Sequence, residues 1–371
     1  MSSLADFTTY ADARARLLAP IEELGVAVRS HVHPLPGPEG ENLATDVIRF
    51  GAPIGEAERV VFVQSGTHGV EGFAGNALQL NLLASGRLTR LPERTAVVLV
   101  HAVNPWGMAH TRRVDADNID VNRNFVDLDA PPANELYERV GPLLNPTDEV
   151  LDLTDLGYVD ELLKFWASVG DHKAMQAISG GQYTHPEGVQ FGGRHRSWSR
   201  RTLESIWGQH LDASVRSALI LDIHTGLGPE GRLTVFQTAN EGEVTAQAGA
   251  NWYPEYLYRS DRSEHDPIDH GLLGPGFDTW AASRGGEAPV NTGTFVIEFG
   301  TRDPITAVGA FRADNWLHHH GDRDSELGRT IVASMRDVFW IDDESWRSAV
   351  AEQGHMAIHT ALDHLGDLDE R

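Results

Sequence analysis

The chain has 371 residues, with 54 acidic against 30 basic side chains and a formal net charge of −24. This acidic balance argues against nucleic acid as a partner, because a polyanion needs clustered Lys and Arg. Cysteine is absent, which excludes disulfides and thiolate ligands, so any metal site must use His, Asp and Glu. The sequence shows neither a signal-type apolar segment nor a run of about 18 apolar residues, and we expect a cytoplasmic protein with no membrane partner.

Helical patterns and apolar runs alternate along the chain. Helices are predicted over residues 10–26, 71–84, 202–215, 244–251 and 325–340, and strands within residues 57–66, 94–105, 217–226 and 293–301. The apolar runs do not alternate with polar residues, which is typical of strands buried on both faces of a sheet. The pattern therefore predicts an α/β fold in which helices sandwich a mixed, twisted β-sheet.

The length of the chain would allow two or three domains. Residues 126–200 differ in composition, with acidic and Pro-rich stretches followed by Gly, His and aromatic residues. The chain has no internal repeat and no low-complexity linker. We therefore predict one domain over residues 1–371, with an elaboration at about 126–200.

Polar side chains follow the carboxyl ends of all four apolar runs. They are His68 and Glu71, then His101 and Asn104, then His224, and last Glu298. Ligands of open α/β sheets bind at such ends, so these four groups predict one crevice. Two imidazoles and one carboxylate are a common ligand set for catalytic zinc, and a further carboxylate could act as general base. Spacing alone leaves a competing interpretation open, in which Glu71 only complements the start of a helix.

The segment NPWGMAHTRRVDADNIDVNRNF, residues 104–125, carries a more specific signal. It resembles the zinc carboxypeptidases, whose chain runs from Asn-Pro-x-Gly through an Arg to a hydrophobic-Asp-x-Asn-Arg-Asn-aromatic motif. The resemblance covers residues 57–125 and 217–301. It is to a divergent bacterial branch of the zinc carboxypeptidase superfamily, related to succinylglutamate desuccinylase and aspartoacylase, and it implies a zinc-carboxypeptidase-like fold.

The resemblance implies one zinc ion per chain, held by His68, Glu71 and His224. It implies that Asp120 orients the His68 ring, as a carboxylate behind a metal-bound imidazole usually does. It also implies that Glu298 is the general base and later the proton donor.

Substrate recognition is implied for a second group of polar residues. Asn122 and Arg123 resemble the pair that grips a terminal carboxylate, a task for which the planar guanidinium is suited. Arg113 resembles the arginine that stabilises the oxyanion, with Arg112 as its nearest rival and a further candidate for substrate binding. Tyr183, in the Gly-rich loop 180–193, is a candidate from its composition alone, and a structural loop is the alternative.

The implied activity is hydrolysis of an amide bond next to a free carboxylate in a small peptide. The superfamily's substrate-facing Tyr is missing from residues 270–290, and the nearest upstream are Tyr253, Tyr256 and Tyr258. The segment DIHT is closer to the deacylase-like relatives, so an N-acyl amino acid is an alternative substrate. A non-catalytic zinc-containing binding protein is the alternative of another class. His318, His319 and His320 form the rival metal site, although consecutive side chains point in different directions. The oligomeric state is left open.

Overall fold

The computed structural model describes residues 3–237, 244–258, 269–284 and 290–369. The strands in these ranges are β1 (Val28–Val32), β2 (Ala44–Gly51), β3 (Arg59–Ser65), β4 (Thr95–His101), β5 (Ser217–Glu230), β6 (Leu233–Gln237) and β7 (Asn291–Gly300). The helices are α1 (Tyr10–Glu23), α2 (Gly72–Ala84), α3 (Pro105–Ala109), α4 (Tyr137–Leu144), α5 (Gly157–Val169), α6 (Asp171–Ser179), α7 (Trp198–His210), α8 (Val244–Trp252), α9 (Leu273–Ser283), α10 (Pro304–His320), α11 (Glu326–Phe339) and α12 (Glu344–Asp363).

The seven described strands form one mixed sheet in the order β1-β2-β4-β3-β5-β7-β6. Strands β4, β3, β5 and β7 are mutually parallel, whereas β1, β2 and β6 pair antiparallel at the two sides. The carboxyl ends of the four parallel strands therefore meet at one edge of the sheet. The predicted mixed α/β sheet is confirmed.

Both faces of the sheet are buried, as the continuous apolar runs predict. In β3, Val61 and Val63 belong to a core that also contains residues of α1, α2 and α12. Val60 and Phe62 belong to the core on the opposite face, together with residues of α7 and α9. Successive strand side chains point to opposite faces, so a strand covered on both sides must be apolar at every position.

All five predicted helices are present, and the helix predicted over 202–215 is displaced towards the N-terminus. Helix α7 begins after Ser197, whose side chain accepts a hydrogen bond from the Arg200 N–H and caps the helix. It ends at His210, because Asp212 instead accepts a hydrogen bond from the Ser214 N–H in a local turn. Part of the predicted segment is thus a loop that leads into β5.

Residues 126–200 contain α4, α5 and α6, which share a small apolar core of their own around Tyr137 and Phe165. The partly buried Val308 of α10 packs against this core, so the segment is attached to the rest of the chain. Its interpretation as an elaboration within one domain stays a prediction. None of the described helices combines the length and the apolar character needed to cross a membrane.

His101, at the end of β4, lies in the core rather than in a crevice. It is fully buried, its ring stacks on Tyr10, and neither ring nitrogen has a hydrogen-bond partner among the described residues. Burial lowers the pKa of His101 to about 4. This part of the predicted strand-end cluster is therefore structural.

Acid is expected to destabilise the fold through His101. The pKa of His101 in the folded protein lies below the usual 6.5, so the unfolded chain takes up this proton first as the pH falls. The contribution of neutral His101 to the free energy of unfolding is therefore complete above pH 6.5 and is lost as the pH falls towards 4. The loss between pH 7 and pH 4.5 should be about 2–3 kcal/mol for this residue. Urea unfolding at both pH values would measure this loss in the parent protein and in His101→Leu. The free energy of unfolding of His101→Leu should depend less on pH by the same amount. An equal pH dependence in the two proteins would contradict the lowered pKa of His101.

Candidate metal centre

The turn between β3 and α2 places two candidate ligands next to each other. Gly66 has a φ of +69°, a left-handed conformation that favours glycine. Gly69 packs against the Gly107 backbone so closely that an added Cβ would lie 2.2 Å from the Gly107 carbonyl carbon. The chain then passes from His68 into a 3₁₀ turn at Gly69–Glu71 that leads into α2. A sharp, closely packed turn therefore points both side chains to one place.

His224 completes the cluster from the neighbouring strand β5. The ligand atoms of His68, Glu71 and His224 all lie within 4.8 Å of one another, and all three residues are buried. The Nδ1 atoms of His68 and His224 are 3.2 Å apart. Each lies 2.9 Å from a different oxygen of the Glu71 carboxylate, His68 from Oε1 and His224 from Oε2. Among the described residues, this is the single group of three or more His, Cys, Asp or Glu that could hold a metal ion.

The second nitrogen of each imidazole faces an aspartate. His68 Nε2 lies 3.2 Å from Asp120 Oδ1, and His224 Nε2 lies 2.8 Å from Asp222 Oδ2. Asp222 is held in turn by the Thr67 hydroxyl, which donates to its other oxygen at 2.8 Å. A proton on each Nε2 leaves the Nδ1 lone pairs directed at the centre of the cluster, which is the form that ligates metal.

The buried carboxylates around the cluster favour a positive charge at its centre. Burial opposes ionisation of Glu71, but the rings of His68 and His224 outweigh it and hold the pKa of Glu71 well below its usual range. Burial also opposes protonation of His224, and the carboxylates of Asp222 and Glu71 outweigh it, so the pKa of His224 lies well above 6.5. A metal cation bound between these groups would offset the buried negative charge of the carboxylates, as the proton on His224 does in the metal-free protein.

The donor set fits a zinc ion. Two ligands at about 2.0–2.1 Å in a tetrahedral site are about 3.3 Å apart, close to the observed 3.2 Å between the two Nδ1 atoms. Imidazole and carboxylate donors suit zinc, and both aspartates behind the rings are in place.

Glu298 lies beside the cluster on strand β7. It is the direct register partner of His224 across the parallel β5–β7 pair. Oε1 of Glu298 accepts a hydrogen bond of 2.9 Å from the Leu227 N–H. Burial, and then the negative charge of Glu71, raise the pKa of Glu298 to about 7. A buried carboxyl group with this pKa can take up and release a proton near neutral pH.

Arg113, rather than Arg112, reaches the cluster. Its Nη1 lies 3.0 Å from His68 Nδ1, and its Nε and Nη2 each lie 3.2 Å from Asp120 Oδ2. Metal binding requires this Nη1 to leave His68, because a metal ion and an N–H group compete for the same lone pair. Arg112 is buried elsewhere and bonds the Asp314 carboxylate through Nε at 2.9 Å.

The side chains of Asn122 and Arg123 are engaged by their own chain. The Asn122 side-chain oxygen accepts a hydrogen bond of 2.8 Å from the Leu273 N–H at the start of α9. Arg123 donates from Nε to the Ser179 carbonyl at 2.8 Å, and its Nη2 lies 3.2 Å from Asp269 Oδ1. The buried Tyr183 donates its hydroxyl to the Arg123 carbonyl at 2.7 Å. Their predicted roles in substrate binding stay predictions.

Other candidates do not belong to the cluster. The Asn104 side chain accepts from the Gly107 N–H and caps α3. His318 and His320 are exposed at the end of α10, and these histidines form no metal-type group within the described residues. Tyr258 is exposed and packs on Phe236, and Tyr256 is half-buried against the main hydrophobic core.

Asp222 is a residue of the centre that the sequence analysis missed. The signal was present, because Asp222 stands two residues before His224 on one strand, where side chains point to the same face. A buried carboxylate next to a ligand histidine is a support for that ligand.

Asp222→Asn is expected to weaken zinc affinity about 10- to 100-fold, because the ring of His224 loses the partner that orients it. Competition with a chromophoric chelator would measure the change. Asp46→Asn is a matched control, since Asp46 is an equally buried aspartate that pairs with Arg14 instead. An affinity loss of the same size in both variants would show a general effect of buried charge.

The sequence matches a known family over residues 7–353. That family is described as "Protein of unknown function (DUF2817)". The chain belongs to this family. No curated protein gives a match to the sequence.

Solved structures similar to this DUF2817 chain are metallocarboxypeptidases and desuccinylase/aspartoacylase family proteins. A metallo-carboxypeptidase of Pseudomonas aeruginosa is 14% identical, with 96% of this chain and 68% of that chain covered and a TM-score of 0.46. Carboxypeptidase A of Helicoverpa armigera is 14% identical, with 90% and 74% covered and a TM-score of 0.46. A protein of Shewanella amazonensis named for the succinylglutamate desuccinylase/aspartoacylase family is 19% identical, with 79% and 73% covered and a TM-score of 0.37.

Proposed function

We propose that the protein is a zinc-dependent hydrolase that cleaves an amide bond next to a free carboxylate. The observation that carries the proposal is the convergence of three kinds of group at one edge of the sheet. They are the cluster of His68, Glu71 and His224, the buried carboxyl of Glu298, and the guanidinium of Arg113. Hydrolysis of an amide needs an activated water, a proton carrier and a stabiliser of negative charge on oxygen.

Zinc, held by the three ligands, would lower the pKa of a water and polarise a carbonyl oxygen. Glu298 accepts the proton of the attacking water and then donates it to the leaving amine. The Leu227 N–H holds one oxygen of this carboxylate, so the other is the one free to move a proton. Burial and then Glu71 raise its pKa to about 7 in the metal-free protein, which suits a group that both accepts and donates a proton.

Arg113 stabilises the oxyanion that develops during attack. Asp120 binds Nε and Nη2 of the guanidinium and leaves Nη1 directed to the cluster. A guanidinium held this way donates a charge-assisted hydrogen bond without reorganisation at the moment of reaction. Asp120 thus supports both His68 and Arg113 from one buried position.

Arg123 binds the carboxylate of the substrate in this proposal, and Asp269 occupies its guanidinium when no substrate is present. Asp269 is one-third exposed, so its ion pair with Arg123 is open to exchange with another carboxylate. A substrate carboxylate can therefore replace Asp269 at the same nitrogen, while the Ser179 carbonyl continues to fix Nε.

Asp269→Asn is expected to lower KM for substrates with a free carboxylate about fivefold, because a partly exposed ion pair contributes about 1 kcal/mol. The matched control is Asp129→Asn, which removes the same charge from an exposed position. Initial-rate kinetics on a free acid and on its carboxyl amide would test this. An unchanged KM for the free acid in Asp269→Asn would argue that Arg123 serves another purpose.

An N-acyl amino acid deacylase is the second candidate, and one observation favours it. Tyr253 donates its hydroxyl to the Ala357 carbonyl, Tyr256 packs against the main hydrophobic core and Tyr258 packs on Phe236. None of the three upstream tyrosines therefore takes the place of the substrate-facing Tyr that a peptide carboxypeptidase would use. A non-catalytic binding protein has less support, because a carrier of zinc has no use for a buried Glu298 poised to exchange a proton.

A panel of carboxy-terminal dipeptides, N-acyl amino acids and their carboxyl amides, assayed with and without a chelator, tests the proposed function. We expect hydrolysis of free acids, weaker hydrolysis of the amides, and loss of both with the chelator. Preference for dipeptides supports a peptidase, and preference for simple acyl groups supports a deacylase. Zinc binding without hydrolysis of any member would contradict the proposal.

A further inference from the structure

Asp120 holds the guanidinium of Arg113 through one carboxylate oxygen only. Nε and Nη2 of Arg113 both donate to Asp120 Oδ2, each at 3.2 Å, because Oδ1 faces His68. A pair that used both carboxylate oxygens would fix the guanidinium as two planar forks do. Two bonds to a single oxygen leave the group free to tilt about that oxygen. A guanidinium that stabilises an oxyanion without reorganisation therefore needs a further support.

Phe311 of α10 provides a second contact to this guanidinium. Cζ of Arg113 lies over the Phe311 ring, 5.6 Å from the ring centroid. A guanidinium within about 6 Å of an aromatic centroid is attracted by the negative face of the ring. Asp120 thus binds one edge of the group, whereas the ring attracts its positive charge as a whole. The two contacts together restrict the tilt that Asp120 alone would allow.

Little room remains beside this pair for Arg113 to turn aside. A cavity lined by Arg113 and Phe311 has a volume of about 20 Å³, which accommodates one water molecule. A guanidinium does not fit into this space, so the side chain cannot move there while the Phe311 ring is in place. A smaller side chain at position 311 would enlarge the cavity and give Arg113 an alternative position.

The Phe311 ring is itself held in relation to the strand ends. It stacks on Phe339 of α11, with the ring centroids 5.8 Å apart and an angle of 22° between the rings. Phe339 belongs to a buried apolar cluster with Val70, which precedes Glu71 in the chain, and Phe311 packs against that cluster. The Phe339 carbonyl accepts a hydrogen bond of 2.8 Å from the Thr225 hydroxyl in β5. Helices α10 and α11 therefore fix the ring relative to the metal centre.

We propose that Phe311 is a positioning residue, which holds the Arg113 guanidinium in the orientation that oxyanion stabilisation requires. The inference rests on the proposed function, because that function gives Arg113 its role in the reaction. An interaction that is made mainly in the transition state affects kcat rather than KM. Loss of the ring should therefore lower kcat and leave KM unchanged.

Phe311→Leu is expected to lower kcat about fivefold, with KM within about twofold of the parent value. The substitution keeps an apolar side chain and removes the ring, and a fivefold effect corresponds to the usual strength of such a contact. Phe311→Tyr keeps the ring and should retain kcat. Initial rates on the best substrate of the panel would measure both variants. An unchanged kcat in Phe311→Leu, or an equal loss in Phe311→Tyr, would overturn the proposal.

Phe165→Leu is the matched control, because Phe165 makes the same kind of contact elsewhere. The Arg139 guanidinium of α4 lies over the Phe165 ring of α5, 5.2 Å from its centroid. Phe165→Leu removes the same ring and should leave kcat unchanged. Urea unfolding would confirm that both variants are folded under the assay conditions. An equal fall of kcat in the two variants would overturn the proposal, since it would reflect a general loss of stability.

The effect of Phe311 is also expected to depend on Arg113. In the Arg113→Ala background, Phe311→Leu should lower kcat less than about twofold, because the group that the ring positions is then absent. The full fivefold loss in that background would mean that the ring acts on another part of the site, and the proposal would fail.

Nuclear magnetic resonance of the zinc-free protein separates this inference from the proposed function. With labelled arginine, the Nε–H signal of Arg113 is the one that Arg113→Lys removes. Protons over an aromatic face are shifted upfield, so Phe311→Leu should move this signal downfield, and Phe165→Leu should leave it in place. If no substrate is hydrolysed but the signal moves in this way, the proposed function fails and the positioning of Arg113 by Phe311 stands. A signal that Phe311→Leu does not move overturns the inference.

Discussion

Glu298→Gln is expected to retain one zinc ion per chain and to lower kcat about 10³-fold. The amide keeps the shape of the side chain and can still accept from the Leu227 N–H, but it cannot take up the proton of the attacking water. Metal analysis and initial rates on one sample would measure both quantities. An active Glu298→Gln with full metal content would show that another group is the base.

The same residue sets the expected pH dependence. Glu298 must be ionised to act as a base, so kcat/KM should fall as the pH drops through its pKa. Burial and then Glu71 raise that pKa to about 7 in the metal-free protein, and a bound dication lowers it. The ascending limb is therefore expected at or below about pH 7, and its absence would contradict the role of Glu298.

His68→Ala and His224→Ala are each expected to lose most of the bound zinc and all measurable hydrolysis. Each removes one of the three proposed ligands and one of the two imidazoles that contact the buried carboxylate of Glu71. Elemental analysis of the dialysed variants would measure the loss, and unfolding curves would confirm that they fold.

The histidines at the end of α10 provide the matched control. Replacing His318, His319 and His320 by Ala removes three imidazoles from the rival site and should leave one zinc per chain. The opposite pattern, with zinc lost here and retained in His68→Ala, would place the metal on α10.

The central part of the fold was predictable from the sequence because its strands are buried on both faces. The runs of β3, β4, β5 and β7 are continuously apolar, and that pattern distinguishes them. The edge strand β1 was not predicted, because Val28–Val32 is largely exposed and carries mixed residues. Its place in the sheet depends on pairing with β2, a contact that local sequence does not encode.

The candidate site also combines features that the sequence predicts with features that only the fold determines. The resemblance supplied the candidate ligands and the candidate base through short motifs, and the structure brings these residues together. The contact between Arg123 and Asp269 was not predictable, because it joins two loops far apart in the chain. The different contacts of Arg112 and Arg113 also required the structure, since adjacent arginines differ only in the partners that the fold gives them.

Titration of zinc into chelator-stripped protein tests the central claim most directly. Hydrolysis of the best substrate in the panel should rise linearly and reach its maximum at one equivalent of zinc per chain. The His224→Ala protein should show no such break. Activity that persists in the stripped protein, or a break that is also present in His224→Ala, would contradict a metal-dependent hydrolase built on His68, Glu71 and His224.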